Sequence, residues 1–154
     1  MKRYVAGFMF SFDLRWVALI EKRRPDWQAG KCNAVGGSIE DGETPAEAQR
    51  REANEEMGVD TDAWVHFAAL SDSRGWTVDF FYYWSTPGVT PVTRTDEPVK
   101  FYDVDDVRHD KMPLIGNIPW LLQMALAHVT GKDKTQLFEI KEHAPTELQE
   151  VSRA

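Results

Sequence analysis

Residues 37–59, which read GSIEDGETPAEAQRREANEEMGV, constrain the fold more than any other stretch because they mark both ends of a helix. Thr44 and Glu47 have the spacing of a capping box, in which each side chain accepts a hydrogen bond from the other's backbone N–H, and Pro45 stands at the first helical position. Gly58 provides the left-handed conformation that ends many helices. These signals predict a helix of about three to four turns.

One face of this predicted helix carries three carboxylates, Glu52, Glu55 and Glu56, at spacing i, i+3 and i+4. Like charges on one face repel each other unless a cation offsets them, and Arg51 alone cannot neutralise three carboxylates. Carboxylate oxygens without cysteine or suitably spaced histidine suit Mg²⁺, or Mn²⁺ as the alternative, rather than zinc. Because acidic spacings of this kind are commonly solvated surface, the metal interpretation depends on the surrounding residues.

The whole stretch resembles the Nudix box, whose pattern is G-x5-E-x7-R-E-U-x-E-E-x-G-U, where U is a bulky aliphatic residue. Every fixed letter is present, at Gly37, Glu43, Arg51, Glu52, Glu55, Glu56 and Gly58. Ala53 fills the first U position and is smaller than the pattern asks for. So many fixed positions make the match specific over residues 36–59, and the order of elements extends it in outline over 3–130.

The resemblance implies an α/β fold, the Nudix α/β/α sandwich with a mixed β-sheet. It also implies hydrolysis of a diphosphate linked to another group, commonly a nucleoside, with Mg²⁺ as the cofactor. The implied metal ligands are the three glutamates of the acidic face, together with a backbone carbonyl of Gly36 or Gly37. Gly36 and Gly58 would support the geometry of the site.

The resemblance also suggests roles for individual side chains. Glu52 or Glu97 would accept the proton of the attacking water, since many Nudix proteins carry a carboxylate just before the strand that follows Glu97. Asp96 is the second candidate at that position. Arg51 would orient the carboxylates through ion pairs, and Glu43 would support the loop–helix geometry or the second metal shell.

Candidate substrate contacts lie outside the box. The segment around Asn33 is similar to that of the oxidised-purine nucleoside triphosphatases of the family, which implies that Asn33 contacts a purine. Trp76 is a candidate for stacking on the base. Arg23 and Lys31, in the polar loop 23–31, are candidates for phosphate contacts, although a solvated loop accounts for them equally well.

The substrate is inferred by elimination. Signatures of the ADP-ribose, NADH and coenzyme A branches are not found, which favours a nucleoside triphosphate, oxidised or normal, cleaved to monophosphate and pyrophosphate. Gly116 and Asn117 stand where the oxidised-purine enzymes carry acidic base-reading residues, so an oxidised-base preference is not implied there. The alternatives are a dinucleotide or nucleotide-sugar pyrophosphatase and, less favoured because the glutamate set is intact, a nucleotide-binding sensor without turnover.

Length and charge set the remaining expectations. The 154 residues, 42% of them hydrophobic, suit a single domain over 1–154 with its core at about 3–130 and a polar tail over 131–154. The net charge of −7 argues against nucleic acid or an anionic membrane as the partner.

The cellular location is inferred from the cysteine count and from the lack of a targeting segment. Cys32 has no partner for an intrachain disulfide, and no leader or long apolar run is found, so we expect a cytoplasmic protein. Whether it is a monomer or a homodimer is left open.

Hydrophobic periodicity predicts the other elements. Strands are expected at 3–12, 15–22, 32–36, 62–70, 76–84, 99–104 and 135–141. A second helix is expected to begin at an N-cap, Asn117, to face the core with an apolar stripe, and to end near Gly131. A loose C-terminal end is expected after the last strand.

Overall fold

The computed structural model describes residues 1–143 and places every predicted strand and helix within a few residues of its expected position. The strands are β1 Lys2–Phe10, β2 Trp16–Glu21, β3 Cys32–Asn33, β4 Val35–Ser38, β5 Val65–Asp72, β6 Trp76–Trp84, β7 Val99–Asp103 and β8 Phe138–Glu142. The helices are α1 Pro45–Met57, α2 Val104–Arg108 and α3 Ile118–Thr130.

The strands form one mixed sheet in the order β3-β2-β1-β6-β5-β8, with β4 paired to β1 and β7 paired to β2. β1 is parallel to β6 and β5 is parallel to β8, whereas the other pairs are antiparallel. The strand predicted at 32–36 is divided at Ala34, because Cys32–Asn33 pairs with β2 and Val35–Ser38 pairs with β1. The chain therefore crosses from β2 to β1 where these two strands part.

Helices pack on both faces of the sheet, and β1 is therefore buried on both sides. Phe8 and Phe10 belong to the core that includes α2 and α3, whereas Val5 and Met9 belong to the core that includes α1. This alternation follows from the two-residue period of a strand. It produces the α/β/α sandwich on a mixed sheet that the resemblance implies.

The caps of α1 are those predicted. The Thr44 hydroxyl accepts from the Glu47 N–H at 3.2 Å, and the Glu47 carboxylate accepts from the Thr44 N–H at 2.9 Å. Gly58 ends the helix with φ 70° and ψ 19°, a left-handed conformation that glycine adopts without steric cost. These caps fix where the glutamate-bearing turns of α1 begin and end.

Thr44→Ala is expected to lower the free energy of unfolding by about 1 kcal/mol, because it leaves the Glu47 N–H without its side-chain acceptor. Urea unfolding followed by circular dichroism measures the change. Thr44→Ser keeps the hydroxyl and is the matched control, expected to unfold close to the wild type. Equal losses in the two variants would contradict the capping argument.

One predicted cap is wrong. Asn117 precedes α3 but has φ −87° and ψ −11°, and its side chain makes no cap hydrogen bond. A capping side chain normally reaches the first-turn amides from an extended backbone, so these helical dihedrals direct the Asn117 amide elsewhere. The side chain lines the cleft described below.

The strand predicted at 135–141 lies at Phe138–Glu142, where it pairs in parallel with β5 and extends the sheet. The predicted loose end follows residue 143 and so lies outside the described residues. No helix within residues 1–143 combines the length and the hydropathy needed to cross a bilayer.

Candidate active site

Arg51, on α1, joins the acidic residues of the box to one another and to β4. Its guanidinium donates two parallel hydrogen bonds to Glu43, at 2.9 and 3.0 Å, and one to the Ser38 carbonyl at 3.0 Å. It also donates to Glu52 at 2.9 Å and to Glu55 at 3.4 Å. The planar guanidinium suits such multiple contacts, so the loop before α1, the end of β4 and the acidic face are held in one arrangement.

Glu52 and Glu56 form a half-buried acidic pair. Burial raises the pKa of Glu52, and burial together with the Glu52 charge raises the pKa of Glu56 to about 8. One carboxylate oxygen of Glu56 is shielded from solvent and has no hydrogen-bond partner among residues 1–143. A cation placed beside this pair would relieve the mutual repulsion and satisfy the unpaired oxygen.

Glu55 stands apart from this pair. Its side chain is 57% exposed and contacts Arg51. In the part of the chain that the structure describes, no three acidic, histidine or cysteine side chains lie close enough together to hold a metal ion as they stand. Glu55 would therefore have to rotate away from Arg51 to join Glu52 and Glu56 around a common ion.

The backbone of β4 lies directly against the acidic pair. A Cβ atom added to Gly37 would lie 2.5 Å from a carboxylate oxygen of Glu52, and one added to Gly36 would lie 1.9 Å from the Val5 carbonyl oxygen. Gly36 therefore requires glycine because it lies against backbone atoms, whereas a side chain at Gly37 would have to displace the Glu52 carboxylate. Hard oxygen donors, an unpaired Glu56 oxygen and the adjoining Gly37 backbone together fit a divalent metal.

Glu97 is buried and already paired. It accepts from the Lys22 ammonium at 3.0 Å and from the Arg23 backbone N–H at 2.7 Å. Burial favours the neutral acid, but these hydrogen bonds outweigh burial and hold the pKa of Glu97 below its usual value. The adjacent Asp96 side chain is exposed and pairs with Arg24.

A cleft of about 470 Å³ lies where β1 and β2 part; Glu52 and Glu56 do not line it, but Gly37, which lies against Glu52, does. The Gly36–Gly37 backbone contributes to its wall, and Lys22 is the basic side chain that lines it. Rings and neutral amides provide much of the remaining surface, from Trp27, Trp76, Phe80, Gln28, Asn33 and Asn117. Its size is within the range of pockets for small molecules.

Of the substrate contacts predicted from the sequence, the structure places Asn33 and Trp76 on the cleft wall. The Asn33 amide donates to Gln28 at 3.3 Å, and its carbonyl oxygen accepts from the Ala34 N–H at 2.8 Å. Arg23 and Lys31 are exposed and do not line the cleft.

Sequence reasoning missed Lys22, Trp27 and Gln28 and misread Asn117 as a helix cap. Lys22 directly follows β2, at the end of the sheet where β1 begins. This position in the sequence could have identified Lys22 as a candidate site residue. The other residues lie in connecting segments, whose path across the end of the sheet is set by long-range packing.

Comparisons with known proteins identify the family and its fold. A family model described as the NUDIX domain matches residues 2–121 of the chain. The chain belongs to the Nudix hydrolase family. It is thus a pyrophosphohydrolase, and Nudix enzymes generally use divalent metal ions. No curated protein matches the sequence.

Solved Nudix structures share the fold at low identity. A MutT protein from Bacillus halodurans is 20% identical with a TM-score of 0.69, and the match covers 93% of this chain and 90% of that one. The NUDIX domain of Shewanella oneidensis NrtR, complexed with ADP ribose, is 18% identical with a TM-score of 0.69 and coverages of 83% and 88%. An ADP-ribose pyrophosphatase from Streptococcus suis is 18% identical with a TM-score of 0.62 and coverages of 92% and 98%.

Proposed function

We propose that this Nudix hydrolase cleaves a nucleoside triphosphate, normal or oxidised, to the monophosphate and pyrophosphate. The observation that carries the proposal is the set of residues that line the cleft. The Gly36–Gly37 wall adjoins the acidic pair, while rings and neutral amides line other parts of the same cleft. A nucleobase offers faces that stack and edges that form hydrogen bonds, and its phosphates would extend toward the glutamates.

We propose Mg²⁺ as the cofactor, with Mn²⁺ as the alternative. Glu52 and Glu56 would hold the ion, with Glu55 and the Gly37 carbonyl completing the set of oxygen ligands. When bound, such an ion neutralises charge on the phosphate oxygens and lowers the pKa of a coordinated water. Arg51 keeps Glu52 in place, and Glu43 in turn fixes Arg51.

Glu52 is our candidate for the general base. Hydrogen bonds hold the pKa of Glu97 below its usual value, which makes Glu97 the weaker proton acceptor. The Glu97 carboxylate is also occupied by Lys22 and the Arg23 N–H. We therefore assign Glu97 to positioning Lys22 beside the cleft rather than to accepting the proton of water.

Lys22→Met is expected to raise KM for a triphosphate by about tenfold, because the variant removes the positive charge beside the phosphate path. Steady-state kinetics with Mg²⁺ measures the change. Lys31→Met is the matched control, because Lys31 is exposed and outside the cleft, and its KM should stay near the wild-type value. Equal effects in both variants would indicate a general loss of charge. A thermal melt accompanies each assay, since Lys22→Met leaves the buried Glu97 carboxylate with only the longer ion pair to Arg24, at 3.7 Å.

A substrate panel tests the proposal directly. Normal and oxidised nucleoside triphosphates, ADP-ribose, NADH, diadenosine polyphosphates and sugar nucleotides are incubated with Mg²⁺, and products are separated by chromatography. A Glu52→Gln variant provides the blank for contaminating activity. The expected result is that a nucleoside triphosphate is converted to the monophosphate and pyrophosphate. Tight binding of one compound without turnover of any would contradict the proposal and favour a sensor.

The second candidate is a dinucleotide or nucleotide-sugar pyrophosphatase. Two structural neighbours favour it, because one is described as complexed with ADP ribose and another as an ADP-ribose pyrophosphatase. Turnover confined to ADP-ribose, dinucleotides or sugar nucleotides would replace the triphosphate proposal with this one. Product identity separates the two because only the triphosphate reaction releases pyrophosphate.

A further inference from the structure

We infer that Trp27 is a base-stacking side chain of this cleft and acts with Trp76 from the other side of β1. The inference rests on the proposed nucleotide substrate and specifies which protein group binds its base. Trp76 begins β6, which pairs with one edge of β1, whereas Trp27 lies in the loop that follows β2, on the other side of β1. Both indoles line the same cleft.

Trp27 is unusual in being both cleft-lining and 64% exposed. Isolated apolar side chains on a surface are common, so exposure alone would say little. Trp84, which is 49% exposed, lies outside the cleft and donates its indole N–H to the Phe12 carbonyl at 2.9 Å. Trp27 instead lines the cleft together with Gln28 and Asn33, and a planar ligand bound on its ring would cover apolar surface that is otherwise in contact with water.

The loop that carries Trp27 is held by its backbone. The Lys22 N–H donates to the Lys31 carbonyl and the Gly30 N–H to the Lys22 carbonyl, both at 2.9 Å, which closes the base of the loop. Within the loop, the Gln28 N–H donates to the Pro25 carbonyl at 2.9 Å. Because these hydrogen bonds already hold the backbone of the loop, stacking a base on Trp27 would cost little conformational entropy beyond that of the indole side chain.

Gln28, the residue after Trp27, indicates which chemical class of ligand would bind beside the indole. Gln28 lines the cleft and accepts from the Asn33 amide at 3.3 Å, so two hydrogen-bonding side chains line the same cleft as the indole. An aromatic face next to amide donors and acceptors suits a planar nitrogen heterocycle, which stacks on its face and forms hydrogen bonds along its edge. Binding of the base, and not of the phosphates alone, should therefore contribute to KM through Trp27.

Two variants and a control test the inference. Trp27→Ala removes the ring, Trp27→Phe retains an aromatic face, and Trp120→Ala removes a tryptophan that is 39% exposed on α3 but does not line the cleft. For each protein, kcat and KM are measured on the best base-containing substrate of the panel. Calorimetry compares the affinity for the corresponding nucleoside monophosphate with that for ribose 5-phosphate, which has no base.

Trp27→Ala is expected to raise KM and weaken monophosphate binding by about tenfold, the order found for losing a base–aromatic stack, with kcat within about twofold. Trp27→Phe should recover most of the affinity. Ribose 5-phosphate binding should be unchanged in every variant, and Trp120→Ala should match the wild type. A merely structural role would alter kcat, the melting temperature and ribose 5-phosphate binding as well.

Equal weakening of the monophosphate and ribose 5-phosphate, or no change in Trp27→Ala, would overturn the inference while leaving triphosphate hydrolysis intact. If triphosphates are not cleaved but ADP-ribose or a dinucleotide is, the proposed substrate is wrong. The same KM comparison on that compound then tests Trp27, because it also carries a base. If nothing is cleaved, the monophosphate and ribose 5-phosphate affinities decide alone.

Discussion

Replacing Glu56 by glutamine is expected to reduce the rate of hydrolysis by roughly 10²–10⁴-fold in the presence of Mg²⁺. Glutamine keeps the size and shape of the side chain but cannot supply a negative charge beside Glu52. That charge is concentrated in a half-buried pair, where one Glu56 oxygen has no partner among the described residues. The measurement is kcat on the preferred substrate, with circular dichroism showing that the variant is folded.

The Glu56 carboxyl also makes the stability of the metal-free protein depend on pH. The pKa of Glu56 is raised to about 8 in the folded protein, well above that of an unfolded glutamate. The folded protein then binds the Glu56 proton more tightly than the unfolded chain does. The corresponding stability is present below the unfolded pKa and is lost as pH rises toward 8, on the order of 1 kcal/mol per pKa unit.

Urea unfolding in a chelator at pH 5 and pH 8.5 measures this effect. The wild type should lose more stability than Glu56→Gln between the two pH values, because the variant lacks the titrating carboxylate. Added Mg²⁺ should restore stability to the wild type at the higher pH and do little for the variant. Parallel pH dependences in the two proteins would contradict the assignment of the buried charge to Glu56.

Glu55→Gln is the graded comparison on the same helix. Glu55 is 57% exposed and contacts Arg51, so its removal changes the buried charge less. We expect a smaller loss of rate and little change in the pH dependence of stability. A larger loss from Glu55→Gln than from Glu56→Gln would mean that the exposed carboxylate, after rotation, is the principal ligand.

The helix that carries these glutamates could be predicted because its signals are local. Thr44, Glu47 and Gly58 determine where α1 begins and ends through contacts within a few residues, and the spacing of the glutamates then fixes which side chains share a face. β1 is a similar case, because its residues are apolar at both odd and even positions, which is typical of a strand buried on both faces. Such features need no knowledge of the rest of the chain.

The environment of those side chains could not be predicted in the same way. Lys22 and Glu97 are 75 residues apart in sequence, and their contact depends on where β2 and the loop before β7 meet. That contact changes the interpretation of Glu97 from a candidate base to a paired carboxylate. Likewise, the position of Asn117 in the cleft depends on how the segment before α3 crosses the end of the sheet.

Substitution of either of the two neighbouring glycines of β4 is the second change with a large expected effect. The two substitutions are expected to impair the protein in different ways. Gly36→Ala places a Cβ atom 1.9 Å from the Val5 carbonyl oxygen and 2.7 Å from the Ala6 Cα. These are backbone atoms of the paired strand, which cannot move without breaking the β1–β4 pairing. We expect a loss of about 3 kcal/mol or more in the free energy of unfolding, or failure to fold.

Gly37→Ala instead places its Cβ atom 2.5–2.8 Å from the carboxylate atoms of Glu52, at the end of a side chain that can turn away. The fold should therefore survive with a loss of about 1–2 kcal/mol, while displacement of Glu52 from Glu56 and Arg51 lowers kcat by about 10²-fold. Urea unfolding and steady-state kinetics on both variants measure the contrast. Full activity in Gly37→Ala would show that Glu52 can move without affecting hydrolysis, and would remove it as the candidate base.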